Sequence, residues 1–293
     1  MSDDDRYIPG VPCWIDIGQP DPAATAAFYG GLFGWTFEEV APAGAPEPYT
    51  IAHLPGGAVG GIGGPGTNGD RVTWETYIRV ADVTETTAQV RAAGGRVLVE
   101  PTIVGPPGRM ATFADPGGAV FSVWQAGRRK GADVVNEHGA VNFNQLHTRD
   151  PERASVFYGA VFGWELIPVG EFSMWALPAY GDFLEQRRPG TRQQAAEFGA
   201  PARFEEVVAS LVPIADGDAM HEHWSVVFGA DDADEVAAKA KALGGTVLVE
   251  PVDAPWVRMT VLRDPQGATF TANQFVPENR DLAAGTRGGV SRT

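Results

Sequence analysis

Short runs of mixed apolar and polar residues at 14–18 and 143–147 read as strands, and each leads into an Asp-Pro pair and a helical stretch. Asp21-Pro22 and Asp150-Pro151 read as helix starts, because Asp accepts from free backbone N–H groups and Pro fits the first turn. The helices are expected to run to about Phe33 and Phe162, where Gly34 and Gly163 permit termination. Strand patterns follow at 35–40, 49–54 and 57–62. A second unit opens with a strand at 73–80 and a helix over 82–93, ended by Gly94-Gly95. Strands at 96–100, 109–114 and 119–125 follow, the last two joined by the turn Asp115-Pro116-Gly117-Gly118. In the second half, the matching unit opens at 224–228 and closes at 268–275. The chain therefore reads as four strand–helix–strands units in an α+β architecture.

Two signatures recur in the same order. Phe28-Tyr29-Gly30-Gly31-Leu32-Phe33-Gly34-Trp35 returns as Phe157-Tyr158-Gly159-Ala160-Val161-Phe162-Gly163-Trp164, and the segment from Gly94 to Pro101 returns from Gly244 to Pro251. A recurrence over so long a period means a duplicated domain rather than a solenoid. The expected boundaries are 11–126 and 141–276, with a linker over 127–140 and a mobile tail over 277–293. The second half carries an insertion near 190–216, which includes a helical pattern over 204–211 and could cap or narrow a cleft.

Composition narrows the classes. At 293 residues and 44% apolar content there is material for two cores. A net charge of −15 argues against nucleic acid, and no run of apolar residues is long enough for a membrane span. The single cysteine, Cys13, excludes an internal disulfide framework, and the acidic start lacks a signal-peptide pattern, so a cytoplasmic protein is expected. Gly61-Ile62-Gly63-Gly64-Pro65-Gly66 matches a dinucleotide fingerprint by letter only, because a strand pattern follows where a helix is required.

The βαβββ units, the Asp-Pro start with Phe-Tyr-x-x-x-Phe-Gly-Trp, the Gly-Gly helix end and the Asp-Pro-x-Gly turn together resemble the vicinal oxygen chelate superfamily. This is the glyoxalase, bleomycin-resistance and extradiol-dioxygenase group. The resemblance implies two tandem domains, each with a cup-shaped mixed sheet. It also implies a divalent metal held by the first, fifth and last strands of a domain in catalytic members. Counting from the motifs, those places fall at Trp14, Glu75 and Ser122 in the first domain and at Phe143, Ser225 and Thr271 in the second. One carboxylate cannot hold a hard cation against water, so no metal or other cofactor is expected. His221 and His223, on one strand face with Ser225, are the minor metal alternative, with His147 an unplaced third ligand.

Alternation places Trp14, Asp16, Glu75, Tyr77, Ser122 and Trp124 in the first cup, and Phe143, Gln145, His147, Thr271 and Asn273 in the second. An aromatic wall with carboxylates suits a flat, aromatic, cationic ligand, unless the same rings simply fill the cup as core. The favoured reading is metal-independent binding of such a metabolite or drug: resistance, sequestration or relief of product inhibition in a natural-product pathway. The alternative is a glyoxalase-like lyase, dioxygenase or polyketide-tailoring enzyme with a displaced metal or with Glu75, Asp16 or His147 as acid or base. A buried Glu75 would then have a raised pKa. The expected partner is a small molecule, to a monomer or homodimer.

Overall fold

A computed structural model describes residues 6–40, 49–64, 72–169 and 172–282. The first half contains β1 (Pro12–Gly18), α1 (Pro22–Phe33), β2 (Thr36–Glu39), β3 (Tyr49–Leu54) and β4 (Gly57–Gly63), then β5 (Trp74–Arg79), α2 (Val83–Ala92), β6 (Arg96–Gly105), β7 (Gly108–Ala114) and β8 (Val120–Ala126). The second begins with β9 (Val141–Thr148), α3 (Pro151–Phe162), β10 (Glu165–Val169) and β11 (Phe172–Ala176). Two helices, α4 (Pro178–Arg187) and α5 (Thr191–Glu197), precede a 3-10 turn at Phe204–Glu206 and β12 (Val207–Pro213). The closing unit is β13 (His223–Gly229), α6 (Ala233–Ala242), β14 (Thr246–Ala254), β15 (Val257–Arg263) and β16 (Thr269–Phe275). Each half folds into one eight-stranded mixed sheet, in the orders β2-β3-β4-β1-β5-β8-β7-β6 and β10-β11-β12-β9-β13-β16-β15-β14.

The Asp-Pro helix starts form as their chemistry dictates. Asp21 accepts from the Ala24 amide and Asp150 from the Arg153 amide, while Gly34 and Gly163 take left-handed φ of 73° and 72°. The helical pattern over 204–211 is corrected. Only Phe204–Glu206 turn, and Val207 onward extends into a strand that pairs in parallel with β9. β-branched residues and the need to complete the sheet override the local pattern there. The sequence pattern did not announce α4, which precedes the insertion, or α5 within it. Pro277–Asn279 make one 3-10 turn, with the Asn279 amide donating to the Val257 carbonyl (3.2 Å). The tail from 283 lies outside the described residues. No helix among the described residues is long and apolar enough to cross a membrane.

The repeated motifs lie at the seam between the halves. Helix α1 packs on α6 and α2 on α3, and β5 approaches β13, where Thr76 Oγ1 donates to Asn144 Oδ1 (2.9 Å). The Trp74 indole N–H donates to the Tyr29 hydroxyl (3.0 Å), which donates to Asp264 (3.2 Å). By pseudo-symmetry the Trp224 indole donates to Tyr158 (2.9 Å), which donates to Asp115 (3.0 Å). One core cluster joins Phe113 and Phe121 to Phe157, Tyr158 and Trp164, and another joins Phe28, Tyr29 and Trp74 to Phe228 and Phe270. The faces of the sheets turned away from the seam are the two cups.

Candidate functional site

In the first cup, β1 and β5 run antiparallel, with Trp14 opposite Tyr77 and Asp16 opposite Glu75, while Tyr77 lies beside Ser122 of β8. The sequence-predicted residues of this half do share one face. They are also packed shut: Trp14, Glu75, Tyr77, Ser122 and Trp124 are all buried. Tyr49 of β3, missed by the sequence reading, lies across β4 because Gly61 has no side chain; a Cβ there would collide with the Tyr49 hydroxyl. Tyr49 (3.0 Å) and Tyr77 (2.9 Å) both donate to Asp16 Oδ2, and the Trp14 indole donates to Tyr49 (3.2 Å). Ser122 donates to Glu75 Oε1 and also bonds Thr112 (2.7 Å). Burial pushes the Asp16 carboxyl up to about 6, against the opposing effect of the two tyrosine bonds.

The chain leaving β8 closes the same cup from above. The Arg129 guanidinium lies 5.0 Å from the Trp14 ring centroid, and the Trp124 indole donates to the Arg129 carbonyl (2.9 Å). The acidic, Trp-lined cup expected to take a cationic ligand is filled from within: the protein's own arginine lies over the Trp14 face, and its own tyrosines bond the Asp16 carboxylate.

The second cup is built on the same registers with different residues. Gln145 faces Ser225 on one side and Ser210 on the other, so these stand where Asp16, Glu75 and Gly61 stand in the first. Phe143 pairs with Val227, which lies beside Thr271, in the places of Trp14, Tyr77 and Ser122. Phe172, in the place of Tyr49, is 43% exposed, and Ser210 keeps a buried Oγ with no hydrogen-bond partner. Phe143, Gln145, His147 and Asn273 are half-buried, while Ser225, Val227 and Thr271 beneath them are buried. His147 Nε2 pairs with Ser225 Oγ (2.9 Å), and its ring stacks on His223 with centroids 4.4 Å apart. Burial, then the neighbouring His223, holds the His147 imidazole down to about 3, so it is neutral at physiological pH. The insertion supplies Phe204, 6.5 Å from the Phe143 ring, and Met174 of β11 lies opposite Ser210. Phe204 and Ser210 were missed because 204–211 carries a helical pattern that hides the strand, and Met174 because no strand was read at 172–176.

The metal alternative is also corrected in its geometry. His221 is exposed and precedes β13, and its carbonyl is bonded to His223 Nδ1 (2.8 Å), so the two imidazoles do not share a strand face. The donor sets do not fit a divalent cation. In the first cup the carboxylates are bound by hydroxyls, in the second the matching places are Gln145 and Ser225, and no cluster of three His, Cys, Asp or Glu suited to a metal occurs among the described residues. Cys13 is buried, and burial pushes its thiol up to about 12, so it is inert. Two hollows of about 330 and 370 Å³ have none of the predicted cup residues in their linings, which include Tyr7 and Arg79 in one and Phe183 and Arg188 in the other.

Family models match both halves: a glyoxalase-like domain at 140–273, and the glyoxalase/bleomycin resistance protein/dioxygenase superfamily at 14–123. CFP32 of Mycobacterium tuberculosis, provisionally named a glyoxylase, is 37% identical over 93% of this chain and 98% of its own. The chain belongs to the glyoxalase/bleomycin resistance protein/dioxygenase superfamily. Another superfamily relative, the anthracycline biosynthesis protein DauV of Streptomyces sp. strain C5, is 36% identical over 91% of this chain and 94% of its own. Among solved structures, the 2,3-dioxygenase LapB of Pseudomonas sp. KL28 aligns with a TM-score of 0.60 at 12% identity, covering 92% of this chain and 93% of LapB. The Mn(II)-bound glyoxalase of Novosphingobium aromaticivorans aligns at 0.58 and 17%, covering 91% and 82%. At those identities the likeness is one of fold.

Proposed function

We propose that this protein binds a small aromatic molecule in its second cup, without a metal ion, as a sequestering or product-relieving partner in a natural-product pathway. The observation that carries the reading is the contrast between twins. Where Gly61 admits Tyr49 and the first cup is filled, Ser210 stands in the second, Phe172 is exposed, and Phe143, Gln145, His147 and Asn273 stay half-buried. Aromatic and apolar flanks around a few fixed hydrogen-bonding groups are the usual make-up of a small-molecule site. The relatives named anthracycline biosynthesis proteins, from Streptomyces sp. strain C5 and Streptomyces peucetius, support an aromatic natural product as the ligand class.

An enzymatic reading finds one foothold, the His147–Ser225 pair, which has the spacing of a base and a nucleophile. An imidazole held near 3 accepts a proton poorly at neutral pH, so binding is the better account. The test is titration of the full chain with an uncharged hydroxyanthraquinone, followed by tryptophan fluorescence with and without EDTA. Saturable quenching indifferent to EDTA supports the reading. Quenching lost with EDTA and restored by one transition metal contradicts it.

A further inference from the structure

We infer that the second cup selects an uncharged, planar ligand carrying carbonyl or hydroxyl groups along one edge, and that Ser210 is a specificity-determining residue for it. The inference rests on the binding reading above and narrows it. Met174, Ser210, Gln145 and Ser225 form one row across β11, β12, β9 and β13. Neighbouring strands lie about 4.8 Å apart, so the three polar members span about 10 Å, the width of a fused two- to three-ring system. A second row, Phe143, Val227 and Thr271, continues the floor. Neither row carries a charge, and His147 beside them is neutral. A cation or anion would lose its hydration there with no counter-charge in either row.

Ser210 adds a direct pointer. A buried hydroxyl without a partner is uncommon in native proteins, and a ligand carbonyl or hydroxyl would supply the missing bond. Its place in the register is that of Gly61, opposite a residue of β3 or β11 whose neighbour two positions back is Tyr49 in one half and Phe172 in the other. A serine there therefore both keeps an aromatic ring out of the cup and offers the ligand a donor. Phe204 and Phe143 give the planar body an aromatic edge.

The experiment compares three probes on the full chain at pH 6: uncharged 1,8-dihydroxyanthraquinone, cationic proflavine and anionic anthracene-2-sulfonate. Each is run against wild type, Ser210→Ala and the double variant Phe172→Tyr with Ser210→Gly, which rebuilds the filling of the first cup. Thermal unfolding of each variant serves as the check on folding. The expected result is that the dihydroxyanthraquinone binds at least about tenfold tighter than either charged probe, that Ser210→Ala weakens it by about three- to tenfold, and that the double variant abolishes it. If the double variant abolishes binding but proflavine binds as tightly, or Ser210→Ala changes nothing, the selectivity inference falls while the site stands. If binding survives in the folded double variant, or no probe binds at all, the second-cup reading falls with it.

Discussion

Gly61 decides the fate of the first cup, because the Tyr49 ring lies where its side chain would be. Gly61→Ser is expected to expel Tyr49 and release Asp16 from one of its two tyrosine bonds, seen as a more accessible tyrosine by solvent perturbation or quenching. The titrating residues of the two cups pull stability in opposite directions. The Asp16 carboxyl, up at about 6 when folded, holds its proton more tightly than in the unfolded chain. Its contribution is therefore full in acid and is lost as pH rises from about 4 to 6, by at most about 3 kcal/mol. His147, down at about 3, behaves oppositely: stability is full above about 6.5 and falls as the pH drops below it, by at most about 5 kcal/mol. Between pH 4 and 6 the two offset each other. Asp16→Asn should steepen acid destabilisation, and His147→Gln should leave stability rising as pH falls from 6 to 4. Denaturant midpoints measured across that range check both signs.

At the level of the elements, the Trp–Tyr–Asp chains tie α1 and α3 each to a turn in the other half. Asp115 Oδ1 accepts from the Gly117, Gly118 and Ala119 amides, leaving Oδ2 for Tyr158 across the seam. Tyr158→Phe strands the Trp224 indole and one Asp115 oxygen, and is expected to cost about 2 kcal/mol in a denaturant melt. Tyr29→Phe should do the same through Trp74 and Asp264. These elements were legible as elements: Asp21, Gly34, Asp150 and Gly163 announce helix limits through local chemistry. Their cross-domain bonds were not, since no spacing rule links Tyr158 to Asp115. Strand alternation likewise placed Trp14, Asp16, Glu75 and Tyr77 on one face. It could not show that Tyr49 and Arg129 fill that face, because both come from segments outside the three strands counted. The β12 strand was hidden behind the insertion, and with it Ser210.

For the whole molecule, duplication has made two cores that belong to both halves, not one core per half. Since Phe121 packs on Phe157 and Tyr29 on Phe270, residues 1–126 alone should expose both seams and fail to unfold cooperatively. A sharp, two-state melt of that fragment would contradict this. On the proposed function, the twin arrangement lets one cup become filled structure while the other is left to bind a ligand. The five histidines of the chain are direct reporters of that division. The measurement is an imidazole-region NMR titration of the full chain with uncharged 1,8-dihydroxyanthraquinone, with resonances assigned by single His→Gln variants. His147 and His223, stacked at the second cup, are expected to shift together and saturably while His53 and His138 stay put. Saturable binding that moves His53, on β3 of the first half, and leaves His147 and His223 unmoved would contradict it.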